Sequence, residues 1–255
     1  MSTNKIIFHH IRNATSKITY NGIIILVDPF LVPKEYCPGF QGCPTLEQKK
    51  KRVPLVELPL SIDEVIKNID AVVITHTHYD HWDDWAAKYI PKHIPIFVQN
   101  SSDKKFIQKQ GFKDVRIAGD NTPFKGITIT KTGANHIFGD CMGFVLKAPG
   151  QKSVYFAGDS IWYEEVEATL KNHKPDIIVV NGALTLYDGF EGSTMMGPDD
   201  VKRIYKMCKN ATIIPVHMDS LAHCSYTTKT MKKFVKDNKL QDRVIVPVDG
   251  ELFEL

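Results

Sequence analysis

No apolar run in the chain approaches the roughly 18 residues that a membrane-crossing helix needs, so nothing in the sequence points to a span. Residues 1–8 lack the long apolar segment and small-residue cleavage site of a secretory signal, which makes the cytoplasm the expected location. Cysteine is scarce: Cys37, Cys43, Cys141, Cys208 and Cys224 include no Cys-x-x-Cys pair, which argues against a zinc finger or redox motif and predicts free thiols. Cys37 and Cys43 flank a short loop closely enough that a disulfide or an extra metal site stays open between them. Charge of one sign is lacking too: the net value is +3, too small to argue for nucleic acid. The one dense basic run, residues 49–52, reads as a solvated loop or helix face. No composition break, internal repeat or low-complexity segment divides the 255 residues, so a single domain spanning 1–255 is expected.

What the chain does have is a concentration of metal-binding side chains in one place. Residues 70–74 form a short, β-branched apolar run that reads as a buried strand, and His76, His78, Asp80 and His81 follow it directly. In an extended chain, residues two apart share a face, so the His76 and His78 imidazoles can reach one ion, while Asp80 and His81 require a turn. Residues 82–90 then read as a helix with acidic residues in its first turn. A lone histidine in such a place is more often a hydrogen-bonded structural residue. Three His and an Asp within six residues beside a buried strand make physical sense when a cation offsets their desolvation.

The remaining chain reads as alternating elements. Residues 4–8 alternate weakly, and residues 17–28 form two strands about an Asn21-Gly22 turn, a hairpin signal. Residues 31–60 are proline-rich with little periodicity and read as a long loop or lid. Ser61 followed by Glu64 is a capping-box signal for a helix over 61–69. A strand over 94–98 and a helix over 102–110 closed by Gly111 come next, then strands over 127–132, 142–147 and 153–157 that predict an antiparallel sheet. Helices over 161–173, 198–208 and 227–238 alternate with strands over 176–180, 211–216, 243–248 and 251–255. Two sheet-rich halves with flanking helices point to an α/β, four-layer αββα sandwich, although periodicity alone leaves other α/β layer architectures open.

His136, Asp159 and His217 each follow a predicted strand, the position where α/β folds place functional residues. The set His76-x-His78-x-Asp80-His81, His136, Asp159 and His217, with Asp28-Pro29 before it and Ala157-Gly158-Asp159 within it, resembles the metallo-β-lactamase superfamily over residues 5–250. The nearest likeness is to the branch holding the ascorbate-6-phosphate lactonase and N-acylphosphatidylethanolamine phospholipase D groups. By that resemblance, His76, His78 and His136 would bind one divalent metal ion, Asp80, His81 and His217 a second, and Asp159 would bridge them. Imidazole and carboxylate donors suit Zn²⁺ first, with Mn²⁺ or Fe as alternatives. The resemblance implies a metal-dependent hydrolase that uses a bridging hydroxide on a small ester, lactone or phosphodiester, with Asp80 as a catalytic residue that orients the nucleophile or protonates the leaving group. Flavodiiron oxidoreductases of the superfamily carry Glu where this chain has His78, so a redox reading is disfavoured.

Around this set, Tyr79 inside the motif, His223 and Tyr226 after His217, and Tyr36 and Phe40 in the proline-rich loop are candidate substrate contacts. The loop is expected to cover the active site, and the segments around Asn181-Gly182 and Ser193-Thr194 are expected to offer backbone N–H groups to an anion. Cys141 reads as buried structure. Two other functions stay open on the sequence: an RNA phosphodiesterase using the same centre, which the modest charge disfavours, and a non-catalytic metal-stabilised binding protein. A small-molecule substrate is the expected partner, and a homo-oligomer is left open.

Overall fold

A computed structural model describes residues 5–255, so Asn4 of the expected first strand and the rest of residues 1–4 lie outside the described residues. The first half contributes β1 (Ile7–Arg12), β2 (Thr15–Tyr20), β3 (Ile23–Val27), α1 (Leu46–Lys50), α2 (Ile62–Ile66), β4 (Ala71–Val73), α3 (Asp84–Tyr89), β5 (Ile96–Val98), α4 (Ser101–Lys109) and β6 (Val115–Ile117). The second half contributes β7 (Thr122–Phe124), β8 (Ile127–Gly133), β9 (Met142–Lys147), β10 (Val154–Phe156), α5 (Glu164–His173), β11 (Ile177–Asn181), α6 (Pro198–Met207), β12 (Thr212–Val216), α7 (Thr228–Asp237) and β13 (Leu252–Glu254). A seven-stranded sheet runs β13-β1-β2-β3-β4-β5-β6, and a six-stranded sheet runs β12-β11-β10-β9-β8-β7. Among the described residues, no helix is long and apolar enough to cross a membrane.

Alternation along the strands explains how four layers form. In β4, Ala71 and Val73 face the core between the sheets while Val72 faces the helices, and in β11 Ile177 and Val179 face inward while Ile178 and Val180 face outward. Both faces of these central strands are covered, so they read as continuous apolar runs rather than as an alternation of polar and apolar residues. The outer face of the first sheet packs on Val65, Ala86 and Ile107 of α2, α3 and α4. The outer face of the second packs on Val166, Val201 and Met231 of α5, α6 and α7. The expected αββα sandwich is the observed fold.

Local signals were realised where their chemistry is strong. Asn21 and Gly22 both adopt positive φ, as the two-residue hairpin between β2 and β3 requires. Ser61 and Glu64 form the reciprocal capping box of α2, although that helix ends at Ile66 rather than at 69. The strand expected over 243–248 does not form: Val244 makes one isolated bridge to Ile213, and Pro247 has no N–H with which to extend the ladder. The short strands β6 and β7 were not foreseen, three residues each being too few to show a period.

The proline-rich segment is more ordered than its sequence implied. Thr45 and Gln48 cap α1, a short helix inside it, and Cys37 bridges Val53 across it. Phe30, Val32, Cys37, Cys43, Leu221 and Ala222 form a small apolar cluster beneath the loop. Cys37 and Cys43 are both buried and free. The basic run closes α1: Lys49 pairs with Asp188, Lys51 with Glu47, and the Arg52 guanidinium donates to the carbonyls of Glu35 and Tyr36.

Candidate metal centre and active site

The chain leaves β4 and turns at once. The Thr75 N–H and hydroxyl donate to the two oxygens of Asp28, at 2.7 and 2.8 Å, which ties the end of β4 to the end of β3. The His81 and Trp82 N–H groups both donate to the His78 carbonyl, forming the turn that swings Asp80 and His81 back beside His76. Asp83 then caps α3 through Ala86 N with one oxygen and accepts from Leu31 and Val32 N with the other, which ties the proline-rich loop to the motif.

Two groups of side chains converge at the edge where the sheets meet. His76, His78 and His136 form one group, and Asp80, His81, Asp159 and His217 form the other. The atoms each group offers lie within 4.8 Å of one another. His81 Nε2 and His217 Nε2 approach to 3.1 Å, and Asp80 Oδ2 lies 3.0 Å from His217 Nε2. Asp159 Oδ2 lies 3.3 Å from His81 Nε2 and 3.9 Å from His76 Nε2, so this carboxylate reaches both groups. All seven donors singled out in the sequence are therefore brought together.

Their orientation is set from outside. His81 Nδ1 lies 2.9 Å from Asp28 Oδ2, His136 Nδ1 lies 3.3 Å from the Thr194 carbonyl, and Asn181 Nδ2 donates to Asp159 at 2.5 Å. Fixing one nitrogen of each ring aims the other inward, the usual support for a metal-facing imidazole. His76 Nε2 and His136 Nε2 are buried and have no hydrogen-bond partner. A buried imidazole nitrogen left without a partner is costly, and a cation between these rings removes that cost, so the donor set fits a metal.

The electrostatics agree. Burial opposes protonation of His81, but the carboxylates of Asp159, Asp80 and Asp28 outweigh it and raise its pKa well above the ordinary histidine value. His217 is likewise opposed by burial yet raised to about 10 by Asp159 and Asp80. Asp80 and Asp159, which burial alone would neutralise, are held ionised well below the usual carboxylate range by His81 and His217. His76 moves the other way, pushed well down by burial and then by His81. The centre thus holds two ionised carboxylates against buried imidazoles, a charge arrangement that favours a cation among them.

Gly158, directly before Asp159, has φ +66° and leaves no room for a side chain, since an added Cβ would lie 2.4 Å from the Met142 carbonyl oxygen. Gly158→Ala combines a strained backbone with a backbone clash and is expected to cost about 2–4 kcal/mol. Urea unfolding checks this; an unchanged midpoint would show that the turn relaxes freely.

A cavity of about 840 Å³ opens from the donors, with His78, Asp80, His136 and Asp159 at its floor. Tyr36, Phe40, Tyr79 and His223, singled out in the sequence, line it. Tyr226 does not; it packs against the outer core of the second sheet. Phe30, Phe138, Tyr187 and Leu221 also line the cavity and were missed. Phe138 carried one signal, its position two residues after His136; Tyr187 carried none. The N–H groups of Gly182 and Thr194, expected to face an anion, are instead donated to the carbonyls of Val216 and Thr185, and it is the Asn181 side chain and Thr194 carbonyl that support the donors. Cys141 is buried as expected, its thiol held up by burial and its sulfur 3.6 Å from His76 Nδ1.

The family model described as "Beta-lactamase superfamily domain" matches residues 25–218. The UPF0173 protein YddR of Bacillus subtilis (strain 168) is 38% identical over 95% of this chain and 97% of its own length. The solved structure of a possible metal-dependent hydrolase from Veillonella parvula DSM 2008 superposes with a TM-score of 0.95 at 42% identity, covering 100% of each chain. An isothiocyanate hydrolase from Delia radicum gut bacteria superposes with a TM-score of 0.91 at 34% identity, over 98% of this chain and 100% of the other. Fold, clustered donors and relatives agree: this chain belongs to the metallo-β-lactamase superfamily, within the UPF0173 metal-dependent hydrolase family.

Proposed function

We propose that the chain is a dinuclear metal-dependent hydrolase acting on a small, neutral, apolar electrophile, with isothiocyanates as the leading substrate class. The observation that carries this reading is the cavity: four of the seven convergent donors, His78, Asp80, His136 and Asp159, line it, aromatic side chains wall it, and among the described residues neither Lys nor Arg lines it. Phosphodiester and RNA sites depend on cationic groups, so the phosphodiester branch of the family resemblance is less well supported than ester, lactone or heterocumulene chemistry. A relative that is 34% identical is named an isothiocyanate hydrolase, which favours the last of these.

His76, His78 and His136 would hold one ion and Asp80, His81 and His217 the other, with Asp159 between them. Two divalent ions, Zn²⁺ first by the donor chemistry, would supply Lewis acidity and make water acidic enough to attack near neutral pH. The chain's own residues do the rest. Asp80, held ionised and anchored by Asn13 at its carbonyl, accepts a hydrogen bond from the attacking water and so orients it. Tyr36, Phe40 and Phe30 exclude bulk water from the reacting carbon. Water adds to the central carbon of R–N=C=S and one of its protons passes to nitrogen, giving R–NH–C(=S)OH; the second proton then moves to nitrogen as the C–N bond breaks, releasing carbonyl sulfide and the amine R–NH₂.

The test is a panel of metal-replete reactions with an alkyl isothiocyanate, a lactone, an aryl ester, bis-p-nitrophenyl phosphate and labelled RNA. Isothiocyanate should be consumed fastest, with amine and carbonyl sulfide in equal amounts. Fastest turnover of the phosphodiester or RNA would overturn the substrate class, and no turnover of any would favour the binding-protein reading. Tyr36→Ala, which opens the wall while sparing the buried Cys37 and Cys43, is expected to raise KM about 3–10-fold with metal content unchanged. An unchanged KM across the panel would remove the loop from recognition.

A further inference from the structure

Three loops that are far apart in sequence bring aromatic rings together above the donors. Phe40 comes from the proline-rich loop, Phe138 from the connection between β8 and β9, and Tyr187 from the connection between β11 and α6. The Phe138 and Tyr187 rings are 4.5 Å apart at 62°, and Phe40 meets Tyr187 edge-on at 5.5 Å. Phe40 and Phe138 nevertheless remain 43% and 48% exposed. Gathering such rings at the mouth of one cavity exposes apolar area that folding would otherwise hide, which marks a surface awaiting a ligand.

The arrangement is also fixed in advance. Gly39 and Gly42 bracket Phe40, and neither has space for a side chain: a Cβ at Gly42 would lie 2.5 Å from the Phe40 ring, and one at Gly39 would lie 2.0 Å from the Lys49 carbonyl. Asp188 N–H donates to the Gly42 carbonyl at 2.8 Å and the Asp188 carboxylate pairs with Lys49, so the loops bearing Phe40 and Tyr187 are joined directly. Phe138 is joined to the donors, with its carbonyl 3.3 Å from His78 Nε2 and its ring 5.9 Å from that of His136. The three rings thus line the same cavity as the donors His78, Asp80, His136 and Asp159.

Resting on the hydrolase reading above, we propose that Phe40, Phe138 and Tyr187 form a specificity clamp for a neutral aryl or arylalkyl substituent on the substrate. The cavity of about 840 Å³ far exceeds what the reactive group alone requires, and among the described residues no Lys or Arg lines it to hold a charged tail. Apart from the donors at the floor, no Asp or Glu lines the cavity either, so a charged substituent finds no counter-charge on the walls and a neutral apolar one fits them best. An aryl ring can meet the three rings edge-on or offset, contacts that a short alkyl chain cannot make.

The experiment compares kcat/KM for phenethyl and methyl isothiocyanate in the wild type and in Phe40→Ala and Phe138→Ala, with metal content measured on each. In parallel, binding of phenylacetamide and acetamide is followed by calorimetry on the same metal-replete proteins. The preference for phenethyl over methyl should fall by about tenfold or more in each variant, the factor associated with losing a well-packed apolar contact. An equal decline for both substrates, or no wild-type preference for phenylacetamide over acetamide, overturns the clamp. If the wild type turns over neither isothiocyanate yet binds phenylacetamide at least about tenfold more tightly, and Phe138→Ala abolishes that difference, the clamp stands and the isothiocyanate reading falls.

Discussion

Simultaneous replacement of His76 and His81 by alanine is expected to abolish stoichiometric metal binding and to lower turnover by at least about 10³-fold. The two residues belong to different donor groups, and Asp159 Oδ2 lies within 3.9 Å of one and 3.3 Å of the other, so the pair of substitutions dismantles both halves of the centre. Affinity assembled from several donors falls steeply when one is lost from each group. His76→Ala alone should spare the group around His217, and His81→Ala alone should spare the group around His136, so the single variants should each keep part of the metal. Metal analysis of the purified proteins together with turnover of the best panel substrate checks this. Full metal content in the double variant would refute the assignment of donors.

Stripping metal with a chelator should lower the melting temperature by on the order of 10 °C, because an ion present at about 1,000 times its dissociation constant stabilises the native state by about 4 kcal/mol. Chelation should not unfold the protein outright, since the protons on His81 and His217 offset part of the carboxylate repulsion. The same protons give the pH dependence its sign. A raised histidine pKa, about 10 for His217, means that at pH 7–8 the metal must displace a proton. Binding therefore releases protons, and apparent affinity should climb with pH by about tenfold per unit for each proton displaced, until the folded pKa is passed. Titrating metal into weakly buffered protein measures the release directly; no proton release, or an affinity that falls as pH rises from 6 to 9, would contradict the description of the centre.

The parts that were legible in the sequence are those encoded by neighbours. Asn21-Gly22, the Ser61 and Glu64 pair, and the apolar run ending at Ile74 each act through local backbone chemistry, and each appears where expected. The seven donors were legible because they cluster or sit just beyond strands. Partnerships across the fold were not: nothing local shows that Asp28 orients His81, that Asn181 holds Asp159, or that Tyr187 meets Phe40 and Phe138. Tyr226 illustrates the converse, since its position nine residues after His217 suggested the site while the intervening turn carried it to the outer core. The failed strand at 243–248 shows a propensity that tertiary pairing and Pro247 overrode.

The centre draws its donors from both sheets, with His76 to His81 following β4 and with His136, Asp159 and His217 following β8, β10 and β12. During synthesis the first half therefore emerges from the ribosome holding an incomplete set: His76 without His136, and His81 without either Asp159 or His217. A nascent chain in that condition would offer only weak, open coordination to a divalent ion. Only when β12 has been delivered and docked, about 140 residues after His76 and thus roughly 7–30 s later at ordinary elongation rates, does the closed donor set exist. Stable metal loading is accordingly expected only after the second sheet has docked, so that the ion would be held by finished molecules and not by the nascent chain.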